Sequence, residues 1–210
     1  MKPRRISKAI QVGDVTVGGG APITVQSMTK TDTRDVEATV RQILELEEVG
    51  CDIIRPAVPD MEAAKALRDI KKRVHIPVIA DIHFHYQLAL ESIAAGVDGL
   101  RLNPGNIRDR EKVELVVKAA KERQIPIRIG VNFGSLPPVG QIGKFGGLSR
   151  HTDGVNKLSK ASDAADGEFS VVDHMVATAL WEISVLEDMD FDLIKISLKA
   201  FDVPTTVEVY

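Results

Sequence analysis

Two periodicities alternate along the chain. Short β-branched and aliphatic runs are each followed by a turn, then by a stretch with apolar residues three and four apart. The runs ITVQSM (23–28), DIIRPA (52–57), PVIADIH (77–83), DGLRLN (98–103), PIRIGVN (126–132) and DLIKISLK (192–199) predict strands. Between them, Val36, Val40, Ile43 and Leu44 mark the buried stripe of a helix over 35–49. Val113, Val116, Val117 and Ala120 do the same for a helix over 109–123. Helices over 61–73, 86–95 and near 170–189 complete the set, and Gly50 and Gly96 stand where two of these helices should stop.

Strand and helix in alternation predict a parallel sheet with crossover helices. Strand starts recur roughly every 20 to 30 residues over the first five units, the rhythm of a (β/α)8 TIM barrel of about 250 residues. Six strands are read here, and the pattern ends at DVPTTVEVY, entering a sixth helix. The expected class is α/β: an open doubly wound sheet, or a TIM-barrel type fold left incomplete at about six βα units. Bare strand edges would be an aggregation liability for the incomplete barrel. One segment, about 137–168, is rich in Gly, Ser, Lys and Asp and breaks the rhythm. A loop of that length is either functional or disordered.

Several strands carry polar residues at alternate positions near their C-terminal ends. Arg101 and Asn103 share a face in DGLRLN; Asp81 and His83 share one in IADIHFH; Arg128 and Asn132 share one in IRIGVN, with Gly130 between them. Lys195, Ser197 and Lys199 alternate in IKISLKA, and Arg55 precedes Pro56 near the end of its strand. Each alone has a structural reading, such as an arginine on a neighbouring carbonyl or a satisfied histidine. Together they are harder to dismiss, because inward barrel positions are normally Val, Ile or Leu and an unpaired buried polar group costs roughly several kcal/mol. Five strands with such groups point to one polar site at the carboxyl ends of the strands, where both architectures bind ligands.

Arg55, Arg101, Arg128, Lys195 and Lys199 give that set a local positive excess, opposed only by Asp81. Arginine forks match phosphate or carboxylate oxygens, and Asn103, Asn132 and Ser197 add neutral donors. A small, doubly anionic, phosphorylated ligand fits. Two other chemistries stay open: a metal on Asp81, His83 and His85, and a Schiff base on Lys195 or Lys199.

Composition limits the remaining classes. The chain is 44% apolar and 27% charged with a formal net charge of −3, ordinary for a globular protein and without the basic balance of a nucleic-acid or membrane-surface binder. The single cysteine, Cys51, excludes an internal disulfide and a multi-cysteine metal site in these residues, and reads as a small buried hydrophobe. The N-terminus lacks the apolar core of a secretory signal and no stretch reaches membrane-span length, so the expected location is cytoplasmic.

The stretches VQSMTKTDTRD, AVPDMEAAKAL, PVIADIHFHYQLAL, GVDGLRLNPGNI, IRIGVNFGSL and IKISLKAFDV together resemble the 4-hydroxy-3-methylbut-2-enyl diphosphate synthase family of the methylerythritol phosphate route to isoprenoids. The resemblance runs through residue 136 and resumes near 170. It implies a barrel holding 2-C-methyl-D-erythritol 2,4-cyclodiphosphate, with Arg55, Arg101, Arg128 and Lys195 on the diphosphate and Asn103 and Asn132 as further contacts. Asp81 and His83, in DIHF, would lie beside the reacting part of the substrate. The implied reaction is a two-electron reductive ring opening with loss of water, using a [4Fe-4S] cluster fed by ferredoxin or flavodoxin, in a homodimer. The family's cluster domain carries three cysteines and a glutamate and follows the barrel; these 210 residues are expected to lack it, together with the last two barrel strands. The 137–168 segment stands as an insertion, a lid or a linker. The alternatives are a dihydropteroate synthase-like or aldolase-like phosphate-binding barrel enzyme, and a non-catalytic phosphate-binding fragment.

Overall fold

The alternating pattern becomes a β/α order in the computed structural model, which describes residues 6–107, 109–138, 142 and 170–210. Strands β1 (Ile10–Val12) and β2 (Val15–Val17) come first. Then follow β3 (Gln26–Met28), α1 (Val36–Glu48), β4 (Ile53–Arg55), α2 (Met61–Lys71), β5 (Ile79–Asp81) and α3 (Tyr86–Ala95). Next are β6 (Gly99–Arg101), the short α4 (Pro104–Ile107), α5 (Arg110–Glu122) and β7 (Ile127–Asn132). The described residues end with α6 (Val171–Glu187), β8 (Ile194–Lys199) and α7 (Val203–Glu208). All six expected strands form, most of them shorter than their apolar runs. Nearly all of the segment 137–168 lies outside the described residues.

Contacts divide the chain into two compact units, Met1–Arg101 with Lys118–Ile127, and Leu102–Val117 with Arg128–Tyr210. In the first, β3 pairs in parallel with β4 from Gln26↔Ile53 to Met28↔Arg55, and bridges Ile54↔Val78 and Ala57↔Asp81 join β4 to β5. Strand β5 pairs in parallel with β6 from Ile79↔Gly99 to Asp81↔Arg101. Each strand thus lies beside its successor, as helical crossovers of this length require. Ile43, Leu67, Ile70 and Ile93 bury the helix stripes, and Ile53, Ile54, Ile79 and Leu100 the strands.

The antiparallel hairpin β1–β2 was not among the expected strands, although IQV and VTV alternate around the two-residue Gly13–Asp14 turn. Val12 packs with Ile53 and Ile79, the first residues of β4 and β5, with Val15 and Val17 beside them. Its turn needs Gly13, at φ +60, where a Cβ would lie 2.9 Å from the Pro77 ring.

In the second unit Leu102 N–H donates to Arg128 O at 3.1 Å, and β7 neighbours β8. Met175, Trp181 and Val185 of α6 form its core with Ile129, Val131 and Phe191.

Four helices close on their following strands in the same way. Gly50, Gly96, Gln124 and Asp190 all have positive φ. The next residues, Cys51, Val97, Ile125 and Phe191, are buried, and their N–H groups donate to Leu46, Ser92, Ala120 and Leu186 O. This is the paired 6→1 and 5→2 closure of a Schellman motif with its apolar anchor. Asp52 and Asp98 follow two of these caps. Their Oδ2 atoms accept from Val25 and Val78 N–H, each at 2.7 Å, so each pins the start of the preceding neighbour strand.

Candidate functional site

Parallel pairing places Arg55, Asp81 and Arg101 at the last residues of β4, β5 and β6. Asp81 is buried, its backbone held by Pro56 O and Val58 N–H. Its Oδ2 lies 3.4 Å from Arg55 Nε, and its Oδ1 lies 3.7 Å from both Arg101 Nη1 and His83 Nε2. Arg101 Nη1 also stands 3.0 Å from His83 Nδ1. A guanidinium can only donate, so Nδ1 is the acceptor in that contact. His83 is the exposed member, at 54%, against 19% for Arg55 and 15% for Arg101.

One carboxylate between two guanidiniums leaves this cluster net positive. It is also incompletely bonded: Arg55 Nε and Asp81 Oδ1 are buried and make no hydrogen bond among the described residues. An unmade bond at a buried charged group costs about 1–3 kcal/mol or more. A ligand with an anionic oxygen for Arg55 and a hydroxyl for Asp81 would remove both deficits. Arg55 Nη2 rests 3.4 Å from Met28 Sδ, a weak acceptor that offers little competition.

In the second unit the expected residues are more fully paired. Asn103 is buried; its Nδ2 donates to Gly130 O at 2.9 Å and its Oδ1 accepts from Gly130 N–H at 3.0 Å. It therefore clamps β7 between Arg128 and Asn132. Arg128 Nε and Nη2 both donate to Ser197 Oγ, at 3.0 and 2.7 Å. Asn132 is exposed and caps the Phe133–Ser135 turn, its Oδ1 accepting from Gly134 N–H at 3.3 Å. Lys195 is half-buried on β8, and Lys199 is exposed at its end.

His85 stands exposed at the start of α3, away from any metal arrangement: among the described residues no three His, Cys, Asp or Glu side chains group as metal ligands. Cys51 is buried as expected, its Sγ 3.2 Å from Ile53 O. No helix among the described residues is long and apolar enough to cross a membrane.

The sequence reading missed one buried acid, Glu182. It accepts from Gly105 N–H at 2.8 Å through Oε2. Its signal was legible: a carboxylate at helical spacing with Met175, Thr178 and Val185, all buried.

Comparison with known proteins gives this geometry a context. The GcpE TIM-barrel domain matches residues 7–210. A 4-hydroxy-3-methylbut-2-en-1-yl diphosphate synthase (flavodoxin) of Dehalococcoides mccartyi is 56% identical over 210 residues, 100% of this chain and 53% of that protein. The enzymes of the same name from Thermodesulfovibrio yellowstonii and Listeria monocytogenes are 53% and 50% identical, over 100% and 99% of this chain and 54% and 50% of their own length. The chain thus spans about half the length of the curated relatives it matches. Among solved structures, a Thermotoga maritima phospho-2-dehydro-3-deoxyheptonate aldolase superposes with a TM-score of 0.56 at 10% identity, covering 93% of this chain and 48% of that one. Vibrio fischeri 7,8-dihydropteroate synthase gives 0.54 at 13%, covering 93% and 67%. At such identities these likenesses speak for the fold alone, and they agree with the expected α/β, TIM-barrel type class. By a match that spans residues 7–210, the chain belongs to the GcpE family, of which it carries the TIM-barrel domain.

Proposed function

We propose that these residues form the substrate-binding barrel part of a 4-hydroxy-3-methylbut-2-enyl diphosphate synthase, which opens 2-C-methyl-D-erythritol 2,4-cyclodiphosphate reductively in isoprenoid biosynthesis. The observation that carries the reading is the Arg55–Asp81–Arg101–His83 cluster, net positive, in which Arg55 Nε and Asp81 Oδ1 are held only in long ion-pair contacts and make no hydrogen bond among the described residues. The cyclodiphosphate has what those atoms lack. Its phosphates offer anionic oxygens, and esterification at positions 2 and 4 leaves hydroxyls at 1 and 3.

In the reaction two electrons and two protons enter, the ring C–O bond to phosphate breaks, and one water leaves. Arg55 and Arg101 bind and orient the diphosphate and offset the charge that develops on the departing phosphate oxygen. Arg128, Asn132, Lys195, Ser197 and Lys199 serve as further phosphate contacts, and Asn103 contributes by holding β7. Asp81 accepts a hydrogen bond from a substrate hydroxyl, and His83 passes a proton to the departing oxygen.

The electrons must arrive from elsewhere. The [4Fe-4S] cluster that the resemblance implies does not fit the groups present, since Cys51 is the only cysteine and is buried against Ile53 O. No step is assigned to it here. The relatives' names support a flavodoxin as electron donor, with ferredoxin the other candidate, and the resemblance supports a homodimer.

The test is turnover by the protein that carries these 210 residues, under anaerobic conditions with reduced flavodoxin and the cyclodiphosphate. Formation of 4-hydroxy-3-methylbut-2-enyl diphosphate is expected, falling sharply in Arg101→Ala. A protein that neither binds nor converts the cyclodiphosphate contradicts the proposal.

A further inference from the structure

We infer that Glu182 is a positioning residue for this site: it holds the turn after β6 and, through Asn103, the strand that bears Arg128 and Asn132. The inference rests on the reading of those two residues as substrate contacts.

Glu182 is 3% exposed in the middle of α6, the least comfortable place for a carboxylate. Its Oε2 takes the Gly105 N–H. That donor belongs to the first turn of α4, whose N–H groups have no intrahelical acceptor. Pro104, just before, has no N–H to offer. The surface of α6 is moulded to the turn. A Cβ on Gly105 would lie 2.5 Å from two carbons of the Trp181 ring and 2.6 Å from Glu182 Oε1, so only glycine lets the backbone approach.

The turn is tied to β7 two residues earlier. Asn106 N–H donates to Asn103 O at 3.0 Å, and the Asn103 side chain bonds both polar groups of Gly130. Contacts therefore run from Glu182 to Gly105, Asn103 and Gly130, and end between Arg128 and Asn132. Were packing the only requirement, an apolar residue of similar volume would serve as well or better than a buried carboxylate. The carboxylate does what leucine cannot: it fixes one N–H at one distance.

The experiment compares Glu182→Gln, which keeps an acceptor oxygen, with Glu182→Leu, which keeps volume only, in the protein that carries these residues. Two quantities are read: affinity for the cyclodiphosphate by calorimetry, and hydrogen exchange at the Gly130 amide. We expect Gln to stay within about threefold of the parent in both. Leu should bind roughly tenfold more weakly and exchange Gly130 at least about tenfold faster, with the amides of β4 and β5 unchanged. Adding Glu182→Leu to Asn103→Ala should cost little more than Asn103→Ala alone, because both act through one path. Fully additive losses, or Gly130 protection equal in Leu and parent, overturn the inference. If the parent does not bind the cyclodiphosphate, the proposed function fails, and exchange at Gly130 still decides the role of Glu182.

Discussion

Two polar clusters at strand ends are built in opposite ways. Around Asp81 the charged groups stand 3.4 to 3.7 Å apart, and two buried atoms make no hydrogen bond among the described residues. Around Asn103 both side-chain polar atoms meet the backbone of Gly130 at 2.9 and 3.0 Å. Both clusters come from the same sequence signal, a polar residue at an inward strand position. The proposed function gives the first to a ligand; the second is already spent on holding the strand. Satisfied buried polar groups are architecture, and a cluster of charged groups short of hydrogen bonds at strand ends is where a ligand could contribute its own donors and acceptors.

Mutation of each cluster should therefore fail differently. The largest effect is expected for Arg101→Ala, which removes a charge-assisted partner of a desolvated anion. Affinity for the cyclodiphosphate should fall about 100-fold, or about 3 kcal/mol, with thermal stability nearly kept. Asn103→Ala should act chiefly on stability, with a loss of affinity that follows from the loosened β7 and stays well below about 100-fold. It removes both side-chain hydrogen bonds to the buried Gly130 backbone and should lower unfolding free energy by about 2–4 kcal/mol in denaturant titrations. If Arg101→Ala unfolds the protein while Asn103→Ala only weakens binding, the contrast is wrong.

Asp81→Asn sharpens the contrast by separating charge from shape. With the only carboxylate of the cluster neutralised, inorganic pyrophosphate should bind several-fold more tightly in calorimetry, while turnover falls. Weaker pyrophosphate binding would mean that Asp81 serves chiefly to hold the arginines in place.

The smallest effect is expected at the exposed Asp32–Arg34 pair. Hydrogen bonds from the Arg34 side chain and backbone, at distances down to 2.6 Å, hold the Asp32 carboxyl well below its ordinary 3.8, at about 2. Because the folded value is depressed, the stabilisation is complete above the ordinary value and is lost as pH falls through about 2. A carboxyl titration by NMR should give a midpoint near 2 at low salt, drifting upward as salt is added.

Much of the fold was legible because the helices and parallel strands are long or buried enough to impose their periods. Val113, Val116, Val117 and Ala120 are all buried, as their spacing requires, and Gly96 adopts the left-handed cap expected of it. The hairpin at 10–17 was passed over although IQV and VTV alternate around Gly13–Asp14; its packing of Val12 on Ile53 and Ile79 is what the sequence does not show. Gln124 and Asp190 were hidden for a related reason. They close helices as glycine does, in a conformation that no local pattern announces.

The polar residues of the candidate site were visible, but their division of labour was not. Alternation puts Arg101 and Asn103 on one face, yet only the folded chain separates an amide bonded to backbone from a guanidinium beside a carboxylate oxygen that makes no hydrogen bond. Glu182 was passed over because apolar neighbours dominate its helix.

The most direct test of the Asp81 cluster is the Nε–H resonance of Arg55, followed by NMR as the cyclodiphosphate is added to saturation. A downfield shift with slowed exchange is predicted, as the unpartnered donor meets a phosphate oxygen. A ligand that binds and leaves that resonance unmoved would contradict the assignment of the cluster as the diphosphate site.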